Sequence, residues 1–269
     1  MLRSMYSGIS GMKNFQTKLD VIGNNIANVN TYGFKKGRVT FKDMVSQTIS
    51  GASAGDATRG GVNPKQVGLG SQLASIDTVD TQGSLQTTGR VLDIGIQGDG
   101  YLMVESNGVP SYTRAGNLYF DNAGNLITAS GHLVYDINKA PINIGDPNSI
   151  TNLSIDESGK ITYLTKGQDG KMIEGEPKYI GIARFNNNGG LEKIGENLYI
   201  ETEASGEAEM LTPGTSGAGK LVSGTLEMSN VDLSEEFTEM IVAQRGFQAN
   251  TRIITTSDEI LQELVNLKR

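Results

Sequence analysis

The chain has 269 residues, a net charge of −7, 37% apolar and 6% aromatic residues, and neither Trp nor Cys. Without cysteine there are no disulfides, no thiolate zinc sites and no thiol catalysis, and the acidic balance excludes a nucleic-acid binder built on a basic face. No stretch approaches the ~20 apolar residues of a membrane span, and the chain opens without the apolar core of a secretory signal peptide.

Residues 2 to about 29 have helical periodicity. Met5, Met12, Leu19 and Ile26 recur every seven residues, Phe15, Ile22 and Val29 form a second column, and Leu2 and Ile9 begin a third. This is the pattern of an apolar seam, weakened by Gly8, Gly11 and Gly23 at ~1 kcal/mol each relative to Ala. Asn28, Asn30 and Gly33 supply the stop, with Gly33 the natural position for positive φ. Residues 1–42 carry a local charge of +6 against about −13 for the rest. Unlike charges at two ends of a chain suit association between copies, and equally suit ordinary solvated faces.

Residues 43–72, rich in Gly, Ser, Ala and Thr from 46 onward, read as an extended connector. Short β-prone runs then alternate with turn formers such as Asp121–Asn125, Asp156–Gly159 and Asn186–Gly190. The spacing predicts one central antiparallel β-domain over 73–224. Gly95–Gly100 has the order G-x-x-G-x-G between two strands, the reverse of a dinucleotide-binding loop, and reads as a hairpin turn. His132 is the single histidine and has no acid or nucleophile at a recognisable spacing. Glu201, Glu203, Glu207 and Glu209 lie in a polar stretch and read as a solvated loop rather than a glycosidase pair. No catalytic, metal-binding or cofactor-binding residues emerge.

The last segment, 225–269, contains a helix over about 233–267. Leu233, Met240, Phe247, Ile254 and Leu261 form an unbroken column, and Phe237 and Val265 end a second one whose centre is polar. Asp232 with Glu235 reads as an N-cap pair, and Lys268 and Arg269 place positive charge at the opposite end. The fold class is therefore α+β, with long helices at both ends forming a coiled-coil-like layer. Their stripes find burial either against each other or in neighbouring copies, where a contact that does not close yields a filament.

Asn24-Asn25-Ile26-Ala27-Asn28-Val29-Asn30-Thr31-Tyr32-Gly33-Phe34-Lys35 resembles the N-terminal signature of flagellar rod, hook and hook-associated proteins. Gln97–Leu102, Tyr112–Asn117 and Asn122–Leu126 resemble the central β-domain of that family. Ser223–Asp232 and Met240–Phe247 are similar to its C-terminal region. The resemblance implies a non-enzymatic subunit of a hollow axial tube, with terminal helices inside and the β-domain outside. It implies export through the flagellar type III apparatus without a cleaved signal. Implied partners are further copies, neighbouring rod and hook–filament junction proteins and a hook cap or scaffold, with no nucleic acid and no membrane insertion. The opening Met1–Lys13 and Val242–Gln248 look closer to the short hook proteins of Gram-positive bacteria, which implies a flexible hook subunit that transmits torque. Chain length and Ile194–Ile200 favour the alternative, a stiff distal-rod subunit. A secreted adhesin or carbohydrate-active enzyme is the remoter alternative.

Overall fold

A computed structural model describes residues 2–55, 60–106, 108–166, 172–215 and 217–267. The chain forms two compact units, one from Met1–Ala27, Gly37–Thr78 and Asp232–Arg269, the other from Asn28–Lys36 and Val79–Val231.

The first unit is built on helices α1 (Leu2–Ala27) and α2 (Leu233–Leu267). The two pack antiparallel: Gly8 lies against Asn250 and Ile254, Phe15 against Gly246, and Lys18 pairs with Glu239. At the far end Asn25 Nδ2 donates to Glu236 Oε2 at 3.1 Å, and Glu236 is buried. Small residues set this approach. Ala243 is buried, and a Cβ on Gly246 would stand 2.5 Å from the Phe15 ring, or on Gly11 2.9 Å from the Asn250 side chain. Gly8 and Gly11, read from sequence as weak points, are contact positions; only Gly23 has open space around it. Asp232 caps α2, accepting from the backbone N–H of Ser234 at 2.8 Å, and Glu235 and Glu236 fill the first turn where the dipole favours acids. The Leu2 side chain, Lys268 and Arg269 lie outside the described residues.

The helices at both ends and the α+β class agree with expectation. A coiled-coil layer is a property of several chains, and one chain contains one antiparallel pair. Helix α1 ends at Ala27, so Val29 falls beyond the helix whose stripe it was expected to extend.

Strand β1 (Gly37–Asp43) starts from Asn25, whose side chain holds both backbone groups of Gly37 at 2.9 Å. Strands β2 (Ser46–Ser50) and β3 (Lys65–Gly68) pair antiparallel as a ribbon with every side chain exposed, and β4 (Ser71–Thr78) pairs with β1. Residues 43–72, read as an extended connector, contain the hydrogen-bonded strands β2 and β3.

The second unit contains β5 (Leu85–Thr87), β6 (Ile94–Gln97), β7 (Tyr101–Ser106), β8 (Val109–Thr113), β9 (Leu118–Phe120), β10 (Leu126–Thr128) and β11 (Leu133–Val134). It continues with β12 (Ile150–Ile155), β13 (Lys160–Lys166), β14 (Met172–Glu174), β15 (Lys178–Tyr179), β16 (Ile182–Arg184), β17 (Glu192–Gly195) and β18 (Leu198–Ile200). Strands β19 (Glu209–Leu211), β20 (Lys220–Ser223) and β21 (Thr225–Glu227) complete it. All its named strand pairs are antiparallel, and β7 sits centrally in the nine-stranded sheet, bonded to β8, β11 and β16. Alternation along β7 sends Leu102 and Val104 into an aliphatic core and Tyr101 and Met103 into an aromatic one with Tyr112, Phe185 and Tyr199. The Gly95–Gly100 segment is not a hairpin turn. Strand β6 pairs with β20 instead of β7, and the chain turns through Gly98 (φ +107°) and Gly100 (φ +133°).

Candidate functional site: a buried charge node and an exposed helix face

The signature segment does not continue the helix that precedes it. After Ala27 the chain turns through Gly33 at φ +69°, where a Cβ would stand 2.7 Å from the Arg114 carbonyl carbon, so only glycine fits. The turn places Lys35 inside the β-unit with its side chain 1% exposed. Its Nζ donates to Glu227 Oε1 at 2.8 Å and to the Thr81 carbonyl at 2.7 Å, and lies 3.9 Å from Asp80 Oδ1. Arg114 faces it from the other side. Its Nη1 reaches Glu227 Oε1 and Oε2 at 3.2 and 3.1 Å, and its Nη2 reaches the Gly98 carbonyl at 2.7 Å. Glu227 also accepts from the Gly83 N–H at 3.0 Å. Two cations thus balance two carboxylates in the interior.

Aromatic rings wall this node. Tyr101 donates to Asp80 Oδ2 at 3.0 Å, lies 5.3 Å from the Arg114 guanidinium and packs edge-on to Tyr199 at 5.5 Å. Burial, then the Arg114 charge, holds the Lys35 ammonium below the usual lysine range, against the pull of Glu227 and Asp80. Burial holds the Tyr101, Tyr112 and Tyr199 hydroxyls well above the usual tyrosine range. Lys193 Nζ donates to the Lys35 carbonyl at 3.0 Å and lies 5.1 Å from the Phe34 ring.

A second hub adjoins it. Asn230 Oδ1 accepts from the Lys36 N–H at 2.8 Å, while its Nδ2 donates to the carbonyls of Val79 and Thr81 at 2.8 and 3.1 Å. The three sequence blocks that carry the resemblance meet here: Lys35 from the first, Arg114 and Gly98 from the second, Glu227 and Asn230 from the third. Of the other signature residues, Asn25 and Gly33 are buried, Asn28, Thr31 and Phe34 half-buried, and Asn24 and Ala27 exposed. The sequence reading missed Arg114, Glu227 and Asn230 as partners, although each stood in a resembling block; Asp80 carried no signal.

The expected stripe residues divide. Met5, Ile9, Met12, Phe15, Leu19 and Ile26 are half-buried on α1 and Ile22 is buried, and Val29, beyond the helix, is half-buried. On α2, Met240, Phe247, Ile254 and Leu261 are half-buried, whereas Leu233, Phe237 and Val265 are exposed. A further face that the heptad reading left out is also bare, including Ile241 at 59%, Val242, Ile253, Ile260 and Leu264. By the pairing register, α2 runs about two turns past the start of α1.

The remaining candidates resolve locally. His132 has an acid partner after all, Glu196 Oε2 at 3.0 Å, 64 positions away in sequence, and this bond lowers the exposed Glu196 carboxyl. Glu201 accepts from the Tyr112 hydroxyl at 3.2 Å, while Glu203, Glu207 and Glu209 are exposed. Among the described residues no cluster of three or more His, Cys, Asp or Glu could hold a metal, and no helix is long and apolar enough to cross a membrane.

Comparison with known proteins places this architecture. Residues 5–35 match the flagella basal body rod protein family, residues 95–163 the D1 domain of flagellar hook protein FlgE/F/G, and residues 222–267 the C-terminal region of the flagellar basal body rod FlgEFG proteins. The flagellar basal-body rod protein FlgG of Bacillus subtilis (strain 168) is 60% identical over 273 positions, covering the whole of both chains. FlgG of Caulobacter vibrioides is 38% identical over 270 positions, covering 99% of this chain and all of the relative. The flagellar hook protein FlgE of Borreliella burgdorferi is 32% identical over 441 positions, again covering the whole of both. The chain belongs to the flagellar rod and hook protein family. These relatives are rod and hook proteins, not enzymes. The comparisons favour the rod alternative over the hook reading drawn from sequence, because a rod relative matches at nearly twice the identity of a hook relative.

Proposed function

We propose that the chain is a subunit of the flagellar distal rod, polymerising with further copies into a stiff hollow drive shaft. The observation that carries this reading is its 60% identity, end to end, with a basal-body rod protein. The paired ribbon β2–β3 favours it too, since hydrogen-bonded strands resist bending better than the slack connector a flexible hook calls for. In this reading the helical unit, residues 1–27, 37–78 and 232–269, is the self-associating part, and the β-unit, residues 28–36 and 79–231, is the outer body. The bare apolar face of α2 is covered by neighbouring copies, which removes it from water. Neighbouring rod and hook proteins are the flanking partners, and the flagellar type III apparatus exports the chain.

Deletion of the gene in a motile cell tests the assignment. Electron microscopy should find basal bodies that end before the hook; a complete rod lacking only its hook would overturn it. Purified polymer should form straight tubes that resist curvature.

A further inference from the structure

The chain crosses the boundary of the β-unit four times, after Ala27, Lys36, Thr78 and Val231. Inside the unit, three of these passages are bonded to one another directly. Val79 N–H donates to the Lys36 carbonyl at 2.9 Å, and the Asn230 side chain holds Lys36, Val79 and Thr81 together. The passage after Ala27 joins them through Gly33, whose N–H donates to the Glu227 carbonyl at 2.8 Å, and is tied to the sheet by Asn197 Nδ2, which donates to the Tyr32 carbonyl at 3.2 Å. Lys35 then ties the first two passages to the fourth through Glu227, and to the third through Thr81.

The chemistry of this junction is unusual for a site whose task is stability alone. Buried ion pairs add little net stability over apolar packing of the same shape. Here two buried atoms, Asp80 Oδ1 and Arg114 Nε, lack a hydrogen-bond partner among the described residues. What directional bonds do supply is resistance to sliding. An apolar contact keeps most of its energy when displaced sideways, whereas a hydrogen bond is lost with a small shift in distance or angle.

We infer that the node formed by Lys35, Glu227, Arg114, Asp80 and Asn230 is a mechanical clamp, which locks the four chain passages in register so that force entering the β-unit through one is shared by all. The inference rests on the rod reading, because a drive shaft is what loads these passages. It gives the signature lysine a physical task distinct from helix association.

The test uses the full-length protein carrying Asn230→Ala, and separately the charge-balanced double substitution Lys35→Met with Asp80→Asn, which leaves the Arg114–Glu227 pair intact. Hydrogen exchange should quicken at least about tenfold at the Gly33, Lys36 and Val79 amides while strand β7 keeps its protection. The melting temperature of the double variant should move by no more than about 5 °C. Cells carrying either variant should swim in dilute medium and fail as viscosity rises. Unchanged exchange at those amides would overturn the clamp, as would uniform loss of protection through β7, which marks a purely stabilising site. Loosened amides with load-independent swimming would overturn the mechanical role. Normal swimming in a strain lacking the gene would instead refute the rod reading.

Discussion

Glycine at three helical or turn positions has three different physical meanings here, and substitution separates them. Gly23 has nothing within 4 Å of a built Cβ, so Gly23→Ala should stabilise the chain by about 1 kcal/mol. A Cβ on Gly246 would stand 2.5 Å from the Phe15 ring, and Gly246→Ala should cost about 1–3 kcal/mol through overpacking. Gly33→Ala meets both a positive φ and backbone atoms, so it should cost at least as much and disturb the β-unit rather than the helices. Thermal melts followed by circular dichroism measure all three. The buried tyrosines add a pH limit. Tyr101, Tyr112 and Tyr199 keep their protons in the folded state after an unfolded chain has begun to lose them near the usual tyrosine value of ~10. Their contribution is full below that value and falls as pH climbs beyond it. Lys35 has the opposite sign, since its lowered folded value makes stability rise with pH up to the usual lysine value of ~10.4. Ultraviolet titration should therefore show part of the tyrosine ionisation delayed and coincident with alkaline unfolding. Smooth ionisation of all nine tyrosines near pH 10 with the fold intact would contradict the burial.

Among the elements, the helices were the most legible from sequence, because a seven-residue column survives in any environment that buries one face. Helix α2 was anticipated at 233–267 and is observed at Leu233–Leu267. The partners of the helices were not legible. Nothing in the columns says that Gly8 meets Ile254 or that Asn25 meets Glu236, since both are long-range pairings between opposite ends of the chain. The same limit hid the node, in which the bonded pair Lys35 and Glu227 stands 192 positions apart. Strand pairing was harder still: Gly95–Gly100 had the composition of a hairpin turn, and only the competition from β20 decided otherwise. The observed pairing determines what charge reversal at the start of α2 should do. Glu236 is buried against Asn25 and Glu239 pairs with Lys18, so reversing them should loosen the helix pair itself. A cleaner probe of association is Phe237→Ser with Ile241→Ser. Both side chains are exposed, so the monomer's melt should stay within about 1 kcal/mol of wild type while polymer yield in sedimentation falls sharply. Equal yield would remove α2's bare face from the interface.

For the molecule as a whole, the β-unit is closed from both ends of the chain. Strands β20 and β21 pair with β6 and β5, Leu221 and Leu226 sit in buried positions, and the node takes Lys35 from near the start and Asn230 from near the finish. Such contacts join residues far apart in sequence, and their loop-closure cost is met only when the late segment is present. The genetics should reflect this. A nonsense codon shortly before residue 220 leaves most of the polypeptide to be translated, yet it strips the β-unit of its closing strands β20 and β21 and the helical unit of its longer partner. Late truncations should therefore be as severe as early ones, with the fragments cleared by proteases instead of surviving as partially active pieces.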